Sequence, residues 1–133
     1  MAALEPIPVE QLAQQDFDKA LAIVQKGNYA GALKAFDAHA KAYPNSAQTA
    51  EVAYWRGTAA YGTRNYKAAI THLSGFLSQY PNHEKSADAL LTLGSAQIES
   101  GKKPVGIATL KQLVSLYPDS PAAKTAISII NGK

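Results

Sequence analysis

Polar and apolar positions along this chain follow a helical period that is interrupted at regular intervals. Between Asn65 and Pro81, residues Ala69, Ile70, Leu73, Phe76, Leu77 and Tyr80 fall at i, i+3, i+4 and i+7 and form one apolar stripe. Asn65 stops the preceding helix and caps this one. Pro81 ends it, because proline lacks an amide and disfavours helical dihedrals in the residue before it. Upstream, Ala53, Gly57, Ala60 and Tyr61 recur at helical spacing in a stretch without Pro or Asn, with Ser46 placed to cap it. The same pattern predicts helices near 9–26, 29–42, 47–63, 66–79, 84–100 and 104–116. A seventh runs from Pro121 to about Ile130, with Ser120 as N-cap, Pro121 at the first helical position and Gly132 after Asn131 as a stop.

The interruptions are periodic. "NYAGALKAFDAHAKAYPN" (Asn28–Asn45) returns as "NYKAAITHLSGFLSQYPN" (Asn65–Asn82) and, more weakly, as "KPVGIATLKQLVSLYPD" (Lys103–Asp119). A Tyr-Pro pair closes each copy at Tyr43-Pro44, Tyr80-Pro81 and Tyr117-Pro118, a constant offset (80 − 43 = 117 − 80 = 37). A fixed period of this size marks a repeat architecture, in which helix pairs that cannot bury an apolar face alone stack into a continuous core. The division expected is a tail over 1–8, repeats over 9–46, 47–83 and 84–119, and a helix over 120–131 that covers the last pair. Each repeat holds two antiparallel helices, A then B. Ala20, Gly57 and Gly94 on the A helices and Ala32, Ala69 and Gly106 on the B helices are small where the two meet, which lets the axes come close.

Composition supports a packed core: 47% of the 133 residues are hydrophobic and 17% charged. The formal charge of +3 comes from 13 basic and 10 acidic side chains spread along the chain, only two of them Arg. No stripe of Lys and Arg marks a nucleic-acid partner. There is no cysteine, so disulfides, cysteine-ligated zinc and a cysteine nucleophile are excluded. No apolar run approaches a membrane span, so no direct membrane insertion is expected. "MAALEPIPVE" carries no signal-peptide pattern and looks like an added start before a domain cut from a longer protein.

These residues resemble the tetratricopeptide repeat (TPR) pattern. The first copy has Ala20, Gly27, Tyr29, Ala32, Phe36 and Pro44; the second Gly57, Tyr66, Ala69, Leu73 and Pro81, with Arg64 at the turn glycine. The third has Gly94, Gly101, Gly106, Leu110 and Pro118, with Lys103 in place of the tyrosine. The resemblance implies an all-α fold, a right-handed TPR superhelix of three helix-turn-helix repeats plus a C-terminal capping helix. "AYWRG" (Ala53–Gly57), "YPNHEKSADALLTLG" (Tyr80–Gly94) and "YPDSPAAKTA" further resemble the C-terminal TPR domain of the Tol–Pal system's periplasmic cell-division coordinator, the YbgF/CpoB family. Arg56, where an apolar residue is expected, and Pro104 with Gly106 in the third turn depart from that pattern. The resemblance implies a periplasmic, non-enzymatic scaffold that binds an inner-membrane-anchored Tol protein and works with a bifunctional peptidoglycan synthase. It coordinates outer-membrane constriction with peptidoglycan synthesis in cell division. It also implies a precursor with a signal peptide and an upstream coiled coil that makes the full-length protein a homotrimer, with this fragment a monomer. The alternative is another envelope TPR adaptor, such as a lipoprotein of outer-membrane protein assembly.

In a TPR stack the A helices line the inner, concave face. Carried onto this sequence, that face holds Gln14, Phe17 and Leu21, then Glu51, Tyr54, Thr58 and Tyr61, then Asp88, Leu91, Ser95 and Ile98. Such a strip suits an extended or helical peptide held by apolar anchors. Tyr54 and Tyr61 are open between groove contact and packing between repeats, and Trp55 reads as core. Phe17, Leu21, Tyr54 and Thr58 stand where chaperone-binding TPRs grip a carboxylate with Lys and Asn, so no such clamp is expected. Catalysis has no support. His39, His72 and His83 have no metal-ligand spacing, and no nucleophile elbow or phosphate loop occurs. Gly27-Asn28-Tyr29 is a turn between helices with no strand before it. His39 and His72 read as half-exposed on B helices and His83 as a turn residue. No cofactor is expected.

Overall fold

The computed structural model describes residues 6–132. The expected tail over 1–8 and the added start at Met1 fall largely on residues 1–5, which lie outside the described residues. The remainder forms seven helices: α1 Val9–Gln25, α2 Tyr29–Ala42, α3 Thr49–Gly62, α4 Tyr66–Gln79, α5 Ser86–Glu99, α6 Lys103–Leu116 and α7 Pro121–Ile130. No strand occurs among the described residues. Each helix packs on the next in sequence. Beyond that, α3 touches α5 and α5 touches α7, whereas contacts between successive B helices are at most marginal. From the second repeat onward the stack is therefore tighter on its A side, the side on which a TPR stack has its inner face.

Local chemistry sets the turns. Asn28 Oδ1 accepts from the Gly31 amide at 2.9 Å, and Asn65 Oδ1 from the Ala68 amide at 3.2 Å, each meeting an orphan donor at the start of a B helix. The residue before each capping position has a positive φ: 76° at Gly27, 64° at Arg64 and 91° at Gly101. Glycine takes this conformation without strain, and Arg64 is the position where a side chain is forced into it. In the third turn Lys102 offers no side-chain cap, yet α6 is as long as α2 and α4, with Pro104 accommodated in its first turn.

The links run longer than the sequence predicts, so α3 starts at Thr49 and α5 at Ser86. Ser46 does not cap α3. Its hydroxyl accepts from the Gln48 amide at 3.2 Å, and its carbonyl accepts from Thr49 Oγ1 at 2.8 Å, closing a local turn. His83 does the same, its Nδ1 accepting from the Lys85 amide at 3.0 Å. Ser120 does cap α7, accepting from the Ala123 amide at 3.1 Å. The difference is Pro121, whose fixed φ starts the helix directly after the serine.

The core is a row of clusters, each shared between neighbouring repeats. Phe17, Ala20, Ala32 and Phe36 of the first pair meet Val52 and Ala59 of α3. Tyr54, Leu73 and Phe76 of the second meet Ala89 and Leu93 of α5. Leu90, Leu110 and Leu113 of the third meet Ala122 and Ala126 of α7. Ala60, Ala69 and Ala96 form a smaller cluster between the second and third repeats. Burial of Phe36, Leu73, Phe76, Leu110 and Leu113 is close to complete, and each contributes about 1.5–3 kcal/mol. The small positions have measurable tightness. A Cβ on Gly57 would stand 2.5 Å from Leu73 Cγ, and one on Gly94 2.6 Å from Leu110 Cδ2.

Candidate functional site

The inner face is less apolar than its sequence suggests. Phe17 and Tyr54 are 3% and 6% exposed and belong to the packing, so neither offers an open anchor. Phe17 meets Phe36 edge-on at 5.8 Å between ring centroids; Tyr54 meets Phe76 at 5.8 Å. Leu21 is half-buried against the first cluster, and Leu91 and Ile98 against the third. Ile98 also lies under α6, where a Cβ on Gly106 would come 2.5 Å from its Cγ1. The inner surface is left to Glu51, Thr58, Tyr61, Asp88 and Ser95, none of them buried, with Gln14 and Glu99 fully exposed.

These residues form connected groups. Tyr61 on α3 lies beside Ser95 and Glu99 on α5 and beside the Tyr66 ring, 5.6 Å away. Burial raises the Tyr61 pKa above the ordinary tyrosine value, and the charge of Glu99 adds to the rise. Burial likewise raises that of Tyr54, and the nearby charge of Asp88 works in the same direction. Thr58 sits close enough to oppose that rise, but its Oγ1 is buried without a partner in hydrogen-bonding geometry. Gln14 donates to Asp18 at 2.8 Å and accepts from Gln48 Nε2 at 2.7 Å, which ties α1 to the start of α3. The Tyr61 hydroxyl stays protonated at neutral pH, so the face offers a hydroxyl donor beside carboxylates. A hydroxyl and carboxylates side by side can pair with amide and cationic groups.

Several contacts were invisible in the sequence. Trp55 is half-buried, stacked on Phe36 at 6.3 Å and 10° and edge-on to Tyr54 at 5.0 Å. Lys85, from the next link, lies over both rings at 5.5 Å from Trp55 and 5.7 Å from Tyr54. His39 is not half-exposed: it is 3% exposed, and its Nε2 is 2.8 Å from the Ala13 carbonyl. A carbonyl can only accept, so Nε2 carries the hydrogen and Nδ1 is left buried without a partner. His72 and His83 are half-buried. Arg56 finds its reason on the neighbouring pair, where its Nε donates to Asp37 Oδ1 at 2.7 Å. A cleft of about 220 Å³ at the α2–α3 junction is lined by His39, Tyr43, Val52 and Arg56 among others. No group of three or more His, Cys, Asp or Glu among the described residues is arranged to hold a metal.

Residues 10–131 match the family model described as YfiO, outer membrane lipoprotein, and the chain belongs to that family. Among solved structures it is similar to the second TPR domain of the human RPAP3 protein, determined by NMR in complex with the HSP70 peptide SGPTIEEVD. The TM-score is 0.74 at 19% sequence identity, covering 91% of this chain and 96% of that one. The fold is thus an all-α TPR superhelix. No curated protein matches the chain. No helix among the described residues is long and apolar enough to cross a membrane.

Proposed function

We propose that this chain is a non-enzymatic scaffold of the Gram-negative cell envelope that holds a segment of a protein partner on its inner face, in the periplasm. The observation that carries the reading is the TPR stack itself, three successive helix pairs within a family described as outer membrane lipoprotein. The similar human domain holds a peptide in its solved structure, which supports the same mode here. The inner face holds Glu51, Asp88 and Glu99 without a Lys or Arg among its named positions, so it favours a segment with basic or amide donors over a carboxylate terminus.

Two placements in the envelope follow. Family membership across residues 10–131 supports an adaptor of outer-membrane protein assembly, and we place this first. The stretches "AYWRG" and "YPNHEKSADALLTLG" support the Tol–Pal cell-division scaffold, with an upstream coiled coil and trimer in the longer protein. Calorimetric titration separates them. The chain is titrated with the periplasmic part of the membrane-anchored Tol protein and, separately, with the soluble domains of the assembly machinery. Tyr61→Ala and Ser95→Arg are repeated with whichever binds, because both lie on the inner face outside the buried core. Loss of binding in the folded variants supports the inner face. Unchanged binding moves the partner to another surface, and no binding to either removes both placements.

A further inference from the structure

The cations that look scattered in the sequence come together on folding. Lys26, Arg64 and Lys102 lie in the three A-to-B turns, and Lys67 and Lys103 in the first turn of the B helix that follows. All five are exposed, and none takes part in a salt bridge among the described residues. Because the helices alternate in direction, every A-to-B turn lies on the same edge of the stack. That edge carries five cations against a single acid, Glu99, which faces Tyr61 on the inner side. The opposite edge, made by the B-to-A links and the starts of α1, α3, α5 and α7, carries Glu10, Glu51, Glu84, Asp88 and Asp119 against Lys41, Lys85 and Lys124. Lys85 is drawn over the Trp55 and Tyr54 rings.

Two further features sit on the basic edge. A cleft of about 390 Å³ opens between α4 and the α5–α6 turn, lined by Lys67, Ile70, Thr71, Ser100 and Lys102. Tyr29 and Val105, in the first turns of α2 and α6, are among the few exposed large apolar side chains, at 37% and 49%. Cations interspersed with exposed Tyr and Val are the side-chain set that favours a lipid–water interface.

We infer that the edge of A-to-B turns is a docking surface for an anionic phospholipid membrane, with a headgroup phosphate taken into the Lys67–Lys102 cleft. A flat surface is favoured over an acidic peptide by the layout. The cations form a row along three successive turns, without a facing wall to enclose a strand or helix. The acidic edge opposite makes the domain a charge dipole that a planar anionic surface would orient basic edge down. The inference goes beyond the partner on the inner face and does not depend on it, since none of the five cations belongs to that face.

Sister repeats supply substitutions that keep the fold. Arg64→Gly copies Gly27 and Gly101, Lys67→Ala copies Ala30, and Lys102→Asn copies the capping residues Asn28 and Asn65. A control triple, Lys34→Ala, Lys111→Ala and Lys124→Ala, removes equal charge away from the edge, and either triple takes the formal charge from +3 to zero (3 − 3 = 0). Co-sedimentation is measured with vesicles of phosphatidylglycerol and phosphatidylcholine in equal parts, and with phosphatidylcholine alone. The native chain should partition to the anionic vesicles only, and less as salt is raised. The turn triple should lose on the order of 100-fold in partition coefficient, from about fivefold per cation removed. It should melt no lower than the native chain. The control triple should keep most of the binding. No partition by the native chain, equal partition to neutral vesicles, or an equal loss in the control would overturn the inference. Binding to a soluble oligoglutamate peptide without vesicle binding would overturn it in favour of an acidic protein segment.

Discussion

Two alanine substitutions of helical glycines should act with opposite sign. In Gly106→Ala the new Cβ stands 2.5 Å from Ile98 Cγ1, 2.6 Å from the Gly94 carbonyl oxygen and 3.0 Å from the Ile98 amide nitrogen. Two of these three atoms are backbone and cannot rotate away, so α6 must retreat from α5 and loosen the packing of Leu110. Overpacking of this kind costs about 1–3 kcal/mol, and the gain in helix propensity from Gly to Ala returns about 1 kcal/mol. Two backbone contacts put the cost in the upper half of that range, about 2–3 kcal/mol, so the net expectation is a loss of about 1–2 kcal/mol. In Gly75→Ala the Cβ meets nothing within 4 Å on the exposed side of α4, so only the propensity term acts and stability rises by about 0.8–1 kcal/mol. At this chain length each kcal/mol moves the melting temperature by about 3–5 °C. Urea and thermal unfolding followed by far-ultraviolet circular dichroism would read the difference, both being needed because repeat arrays can depart from two-state behaviour. If Gly106→Ala melts at or above the native chain, close approach of the helices is not what fixes that glycine. If Gly75→Ala falls with it, the contacts assigned to α4 are wrong.

Further tests use the turns and the histidines. Asn65→Ala should cost about 1 kcal/mol by removing the cap on Ala68, while Lys102→Asn should gain a similar amount by supplying the cap that α6 lacks; chemical denaturation distinguishes the signs. Arg64→Gly relieves a left-handed conformation that costs about 1–2 kcal/mol, offset by about 0.5–1 kcal/mol of glycine entropy, so a small rise in melting temperature is expected. His72 has its pKa lowered from 6.5, first by burial and then by the Arg56 guanidinium, with Asp37 working against both. The unfolded chain therefore binds the proton more readily, so stability is present above the unfolded value and is lost as pH falls through the folded one. An NMR titration should place the His72 midpoint below 6.5 and move it up in Arg56→Gln, and a midpoint at or above 6.5 in the native chain would refute that assignment.

The B helices were legible because their signals are local. In α2 and α4 an Asn cap at one end and Tyr-Pro at the other act within a few residues, and the stripe between them faces one way. The A helices were harder. α3 and α5 each pack against their own B helix, the previous B helix and the next helix on the inner side, so apolar residues surround them and no single stripe marks the free face. That is why Phe17 and Ile98 read as groove, and Tyr54 as open between groove and packing, whereas all three are found in the packing and Tyr61 and Ser95 remain partly exposed. His39 was misread for a related reason: its acceptor is the Ala13 carbonyl, 26 residues upstream on another helix. Ser46, His83 and Ser120 occupy one position in the period, yet only the serine followed by proline starts its helix at once. Charge was the least legible feature, since the cations gather by turn and not by run.

The three tyrosines that end the B helices share one backbone geometry, with φ and ψ of −132° and 64° at Tyr43, −131° and 66° at Tyr80, and −132° and 59° at Tyr117. Equal dihedrals at Tyr43 and Tyr80, with links of equal length after them (49 − 43 = 86 − 80 = 6), turn the chain in the same way between the first and second repeats and between the second and third. The array is then a ruler, and its pitch is set in part at these tyrosines. A change of a few degrees at Tyr43 would swing everything downstream of it by a lever as long as two repeats, while the same change at Tyr117 would move α7 alone. Shape is thus most sensitive at the first link. A binding surface spanning several repeats can be tuned there by a residue that never touches what is bound.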